Sequence, residues 1–219
     1  MNYHFRRATA TDALQIWIIL QNAILRRKSD GSNQWQDGYP NPEIIAQDIE
    51  KGIGYVLTEN ENIIGYSAVL INDEPEYDNL QGEWLSNNDF VVFHRVAIAS
   101  THLGKNLSKK MIDFIEEFAL KNNIHSLKAD TNYDNFAMMN IFDKSGFVFC
   151  GIVHFRGSPR RAYEKVLKWF QFFSYRFYSV GSAFLLLFTI FLKIFTVPTQ
   201  SNPTTKPSKN SSNILGIKS

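Results

Sequence analysis

The stretch Phe90-Val91-Val92-Phe93-His94-Arg95-Val96-Ala97-Ile98, followed by Ser100-Thr101-His102-Leu103-Gly104-Lys105-Asn106-Leu107-Ser108, decides how the chain is read. Its first part is rich in β-branched and aromatic residues and reads as a strand. Its second part is a polar turn around one glycine. Beyond it, Leu107, Met111, Ile112, Phe114, Ile115, Phe118 and Ala119 recur at helical spacing, so a helix is expected from Gly104 to Asn122. A turn that opens a helix faces unpaired N–H groups and the positive end of the helix dipole. Phosphates bind at such ends. One glycine before a helix is commonplace, so the turn alone specifies no ligand.

Downstream, Ser126 to Thr131 reads as a strand, and Asn135 to Ser145 as a shorter helix stopped by Gly146. Phe147 to Phe155 and Arg161 to Leu167 follow as strands, separated by Gly157-Ser158-Pro159. Upstream, Tyr3 to Ala8 reads as a strand. Thr9 or Thr11 caps a helix carrying Leu14, Ile16, Trp17, Ile18, Leu20, Ala23, Ile24 and Leu25. Its apolar residues cover more than one stripe, so most of it is expected to be buried. It ends in Arg26-Arg27-Lys28, which complements the negative helix end. Asp30 to Pro40 is a polar loop holding Trp35 and Tyr39. Asn41 caps a second helix, with Pro42 at its first position. Tyr55 to Glu59 and Ile63 to Ile71 form strands joined at Asn60-Glu61-Asn62. Asn72 to Asn88 reads as a long surface loop, a class that is often functional. The order is βααββ and then βαβαββ, a mixed α/β sheet with helices on its faces and no internal repeat.

The chain has 219 residues, enough for one domain with a core and a remainder. A net charge of +2 gives no field for nucleic acid, and no nucleic-acid partner is expected. The single cysteine, Cys150, excludes an internal disulfide and reads as a small core residue. The five histidines show no metal-ligand spacing, so no metal is expected. The basic N-terminus lacks an apolar run behind it, so a cytoplasmic domain is expected.

Residues 1–168 are expected to form the domain. Trp169, Phe170, Phe172, Phe173, Tyr175, Phe177 and Tyr178 suit a membrane–water interface. Tyr178 to Val197 is apolar except for Lys193 and is long enough to cross a bilayer. A single C-terminal interfacial or transmembrane helix is therefore expected over 169–197, with a disordered polar tail over 198–219. Docking of this helix on a partner and a non-native extension following a frameshift are the alternatives.

The region 3–168 resembles the GNAT acetyltransferase superfamily. The resemblance rests on Phe93 to Ile98, Gly104 to Ser108, Asp130-Thr131-Asn132, Asn135, Met138, Phe142, Lys144 and Gly146-Phe147. Trp35, Tyr39-Pro40, Asp48-Ile49 and Gly157-Ser158-Pro159-Arg160 are similar to a bacterial small-molecule subgroup. The resemblance implies a mixed, mostly antiparallel sheet whose central strands splay apart, with helices on both faces. It implies acetyl-CoA as co-substrate, its pantetheine arm lying in the splay against main-chain groups of Val96, Ala97 and Ile98. A backbone N–H there would polarise the thioester carbonyl. Asn135 would bond the arm. Backbone amides of Leu103, Gly104, Lys105, Asn106, Leu107 and Ser108 would cradle the pyrophosphate. The acceptor would be a small-molecule amine or a peptide, attacking directly in a ternary complex. A homodimer is compatible with the resemblance.

Two positions depart from the family pattern. The phosphate loop usually reads Arg/Gln-x-x-Gly-x-Gly/Ala, where this chain has Leu103, Asn106 and Ser108. Phe142 stands where many members carry a tyrosine that protonates the leaving thiolate. These departures motivate an alternative, a non-catalytic acyl-CoA sensor or membrane adaptor. Histidine is a common general base, and His94 is the candidate here, although it equally suits packing at a strand edge. Tyr133 is the candidate acid. Trp35, Tyr39 and Glu83 are candidate walls of the acceptor pocket.

Overall fold

The structure is a computed structural model and describes residues 2–168. Its strands are β1 (Tyr3–Arg7), β2 (Gly54–Glu59), β3 (Asn62–Ile71), β4 (Gln81–Gly82), β5 (Phe90–Ile98), β6 (Ser126–Thr131), β7 (Val148–Phe155) and β8 (Ser158–Val166). The helices are α1 (Ala13–Ser29), α2 (Pro42–Glu50), α3 (Leu107–Lys121) and α4 (Phe136–Ser145). The strands form one eight-stranded sheet in the order β1-β2-β3-β5-β6-β8-β7-β4. Neighbours are antiparallel except β5 and β6, which are parallel.

Helices cover both faces. On one face, Met111, Ile112, Ile115 and Ala119 of α3 and Phe142 of α4 pack on Leu57, Val91 and Phe93. On the other, Ile16, Ile19, Leu20 and Ala23 of α1 and Ile45 of α2 pack on Val56, Tyr66 and Ala97. Each large side chain buried in this way contributes about 1.5–3 kcal/mol of transfer free energy.

The expected burial of most of α1 is corrected. Leu14, Ile18 and Leu25 are exposed, because only the Ile16–Ala23 face meets the sheet and no described element covers the other. The start of α3 also moves, from Gly104 to Leu107. Gly104 and Asn106 have φ of 76° and 59°, a left-handed backbone that a helix cannot absorb. Thr9 sits one turn ahead of α1, before a short 3₁₀ turn at Ala10–Asp12. The β7–β8 turn is tighter than expected. Arg156 and Gly157 take positive φ, so Phe155 pairs with Ser158 and β8 begins there. Pro159 is tolerated because the β6–β8 ladder covers only Arg161 to Val166 of β8.

The segment after β3 is more ordered than a surface loop. A 3₁₀ turn at Pro75–Asn79 buries Tyr77 against Val92, Val153 and Ala162. The strand β4 then pairs with β7, with Gly82 opposite Gly151. A Cβ on Gly82 would stand 2.1 Å from the Cys150 carbonyl oxygen, so glycine is required there. The fully buried Glu164 carboxylate accepts from the Leu85 N–H at 2.6 Å and from the Ser86 and Ser126 hydroxyls at 2.6 Å each. These bonds hold the segment closed over the sheet.

Among the described residues, no helix is long and apolar enough to cross a membrane. The membrane segment expected over Tyr178–Val197 and the tail beyond it lie outside the described residues.

Candidate active site

The site begins with the parting of two strands. β5 and β6 pair only at Phe90–Ser126, Val91–Leu127 and Val92–Lys128. Beyond Val92 the edge of β5 that faces β6 has no strand partner. A bulge produces the divergence. Tyr66 pairs with Ala97 and Ala68 with His94, so Ser67 alone opposes Arg95 and Val96. Arg95 takes a left-handed backbone, φ 56°, and the Ser67 hydroxyl donates to the His94 carbonyl at 3.0 Å. The bulge also inverts the facing of the strand: Phe93 joins the α3 core, whereas Ala97 joins the α1 core.

Arg95 locks the bulge. Its Nε and Nη2 donate to the two oxygens of Asp48 on α2 at 3.0 and 2.8 Å, and its Nη1 donates to the Tyr39 hydroxyl. Asp48 also accepts from the buried Tyr66 hydroxyl at 2.5 Å. Burial and the Asp48 charge raise the Tyr66 pKa, so the phenol stays protonated.

Three cavities sharing walls follow this gap. The inner one, about 90 Å³, lies among Arg26 and Arg27 of α1, Leu103, Ser108, Val96 and Asn135. The central one, about 60 Å³, is walled by Trp35, Phe93, His94, Val96, Asp130 and Phe142. The outer one opens to solvent past Asp37, Tyr39, Glu74, Arg156 and Arg160. Val96 and Asn135 border the inner and central cavities, and His94 and Arg160 the central and outer ones.

The α1–α2 loop roofs the gap. The Asn33 N–H donates to Asp134 at 3.0 Å, and the buried Gln34 accepts from Asn135 Nδ2 at 2.8 Å. Asn135 also accepts from Arg27 at 3.0 Å and from the Met138 N–H at 3.2 Å, capping α4. Its side chain thus ties loop, α1 and α4 together beside the gap.

His94 is the centre of a charged cluster. Its Nε2 lies 2.6 Å from Glu74 Oε2, and its Nδ1 3.9 Å from Asp130 Oδ1. The Glu74 contact is close but not aligned as a hydrogen bond. Asp130 is almost wholly buried, accepts from Tyr77 Oη at 2.9 Å and meets Arg160 Nε at 2.7 Å. Burial raises the Glu74 carboxyl above the usual range, while the His94 contact lowers it. Burial, then the Asp130 charge, push the Tyr77 phenol well up.

The other expected site residues fall as follows. Trp35 and Tyr39 wall the outer and central cavities. Ala97 is buried in the α1 core and Ile98 in the α3 core, with Ile98 also bordering the inner cavity. Gly104, Lys105 and Asn106 are exposed at the start of α3, whose first N–H groups receive no side-chain cap. Phe142 is buried among Phe93, Phe147 and Tyr163, with ring centroids 5.0–6.2 Å away. Tyr133 is exposed, with the Arg161 guanidinium above its ring at 5.8 Å, and borders none of the three cavities. Glu83 is exposed next to β4, its N–H bonded to the Cys150 carbonyl. From the same segment it is Glu74 that reaches His94. Its signal in the sequence was a carboxylate before Pro75 in a long loop, which does not distinguish it from Glu76 or Glu83. Among the described residues, no group of His, Cys, Asp and Glu has metal-binding geometry.

The model of the acetyltransferase (GNAT) family matches residues 20–147. Streptothricin acetyltransferase of Escherichia coli is 26% identical over 115 residues, which is 52% of this chain and 64% of that protein, so less than two thirds of its length is matched. A GNAT-family acetyltransferase from Streptococcus agalactiae superposes with a TM-score of 0.71 at 31% identity, over 76% of this chain and 96% of that one. The fold is also that of YncA from Salmonella typhimurium, solved with its cofactor acetyl-CoA (TM-score 0.55, 17% identity, 76% and 95% covered). With the parted strands, the helix start and the roofed gap on one line of cavities, the chain belongs to the GNAT acetyltransferase family.

Proposed function

We propose that this chain is an N-acetyltransferase that moves an acetyl group from acetyl-CoA to a primary amine, with His94 as the base. The observation that carries the proposal is the line of cavities running from the start of α3, past the unpaired edge of β5, to His94 and Glu74.

The residues present fit acetyl-CoA. The unpaired edge of β5 offers main-chain groups to an extended amide-bearing arm. The N–H groups opening α3 and the nearby Arg26 offer positive charge to phosphates. When bound, acetyl-CoA supplies the activated acyl carbon as a thioester. The protein's own residues then handle the amine. Glu74 and His94 attract its ammonium form in the outer cavity, and His94 takes the proton. The free amine would form the new C–N bond as the C–S bond breaks, and the second proton shed by the nitrogen would pass through solvent to the departing thiolate. Phe142 brings no acid to this point, which coenzyme A tolerates because its thiolate is a good leaving group. Asp130 and Arg160 orient the imidazole from the other side.

The test is calorimetric titration of the full-length chain with acetyl-CoA, together with thiol release across a panel of primary amines. Micromolar binding with amine-dependent thiol release is expected. Failure to bind at millimolar acetyl-CoA sinks the proposal. Binding without thiol release on any amine leaves the sensor alternative in its place.

A further inference from the structure

The outer cavity has a charge pattern that discriminates among amines. Its lining includes three arginines, Arg95, Arg156 and Arg160, against two carboxylates, Asp37 and Glu74. Arg95 is spent on Asp48 and Tyr39. Arg156 pairs with Asp37 at 2.7 Å and lies over the Tyr39 ring at 4.3 Å. Arg160 is different. Among the described residues its one charge partner is Asp130, met through Nε, and its guanidinium lies over the Phe155 ring at 5.3 Å. Both Nη groups are left as donors at the cavity wall, in the fork geometry that matches a carboxylate.

The Nη fork of Arg160 is a receptor for an acceptor that brings its own anion, which a polyamine does not. The spacing narrows the choice. Asp130 alone bridges the two functions: Oδ1 is 3.9 Å from His94 Nδ1 and Oδ2 is 2.7 Å from Arg160 Nε. A single carboxylate in contact with both thus spans base and anion receptor. An α-amino acid carries ammonium and carboxylate on a single carbon and meets that spacing.

We infer that the acceptor is an α-amino acid with a free carboxylate beside the amine. Its carboxylate sits on Arg160, its amine faces His94 and Glu74, and its side chain lies against Trp35, Tyr39 and Phe155. The aromatic wall favours an uncharged side chain. The inference rests on the transferase function proposed above and names its substrate class.

The experiment compares kcat/KM of the full-length chain for L-phenylalanine and L-methionine with that for their decarboxylated counterparts, 2-phenylethylamine and 3-(methylthio)propylamine, and for spermidine. Each amino acid is expected to exceed its decarboxylated amine by roughly 100-fold, the scale of a lost bidentate charged pair. In Arg160→Gln that ratio is expected to collapse toward unity. Arg160→Lys, which keeps a charge on Asp130 if the glutamine variant fails to fold, is expected to retain an intermediate ratio. Equal or faster turnover of the decarboxylated amines or spermidine overturns the inference, as does a ratio unmoved by either substitution. If no amine is turned over, calorimetry of L-phenylalanine on the protein saturated with acetyl-CoA decides. Binding then supports the amino-acid site while the transferase function falls, and no binding overturns both.

Discussion

Glu74 Oε2 lies 2.6 Å from His94 Nε2, although one residue follows β3 in a long connection and the other sits in the middle of β5. The contact exists because that connection is fastened back onto the sheet. Tyr77 is buried beneath it, β4 pairs with β7, and Glu164 binds its far end. A carboxylate that is costly to bury is thereby held against the one imidazole that lines both the central and outer cavities.

Replacing His94 by glutamine is expected to lower kcat about 100- to 1,000-fold, the usual worth of a positioned base. The acetyl-CoA dissociation constant is expected to change by less than about 2-fold, because the proposed binding elements are β5 and α3. Glu74→Gln should cost roughly 10-fold in kcat/KM. Steady-state kinetics with calorimetry checks all three. A His94 variant with near-normal kcat would remove it from the mechanism.

Arg26 borders the inner cavity with Leu103 and Ser108, and burial and the neighbouring Arg27 lower its pKa. A bound phosphate would relieve that repulsion. Arg26→Ala is expected to weaken acetyl-CoA binding about 10-fold, with a shallower salt dependence. Leu103→Arg is expected to tighten it by several-fold, roughly the worth of one added charged contact. Titrations at low and high salt measure both. Weaker binding in Leu103→Arg would argue that the phosphates lie elsewhere.

Asp48→Asn removes the charge that holds Arg95 and accepts from Tyr66. It leaves a buried guanidinium without its counter-ion, at a cost of about 3 kcal/mol or more. Thermal unfolding should shift down by about 6–12 °C. Acetyl-CoA affinity should also fall, since the bulge that parts β5 from β6 loses its lock. A shift below about 2 °C would show that the pair contributes little.

The pH dependence of stability has a defined contributor in Asp12. Arg6 clamps it at 2.7 and 3.0 Å and the Thr9 N–H adds a bond of 2.7 Å. The Arg6 pairing, against the opposing cost of burial, holds its pKa at about 2. The folded value lies below that of the unfolded chain, about 3.9. The stabilisation is therefore complete above that unfolded value and disappears as pH falls through the folded one. Arg6 is partly exposed, so solvent reduces the pair to about 1 kcal/mol. Arg6→Gln is expected to lower Tm by about 2–4 °C at pH 7 and by nearly nothing at pH 2. An equal shift at both pH values would assign the effect to packing.

Much of the fold was legible in the sequence because its signals are local. The period of Leu107, Met111, Ile112 and Ile115 marked α3, Asn41-Pro42 marked the start of α2, and Gly146 marked the end of α4. Boundaries moved where a single backbone angle mattered, as at Asn106 and Arg156. The strand β4 escaped notice because two residues carry no periodicity.

The sequence by itself determined the elements, their order and the sheet-plus-helices class, since hydrophobic periodicity and capping act over a few residues. It marked His94, Trp35 and Tyr39 as residues of interest. Only the tertiary structure decided which charges meet. Glu74 reaches His94, Arg160 reaches Asp130, and Arg26 lines one cavity with Leu103 and Ser108, each between segments far apart in the chain. Coulombic and hydrogen-bond terms depend on distances of a few ångströms, and no spacing along the chain encodes those distances.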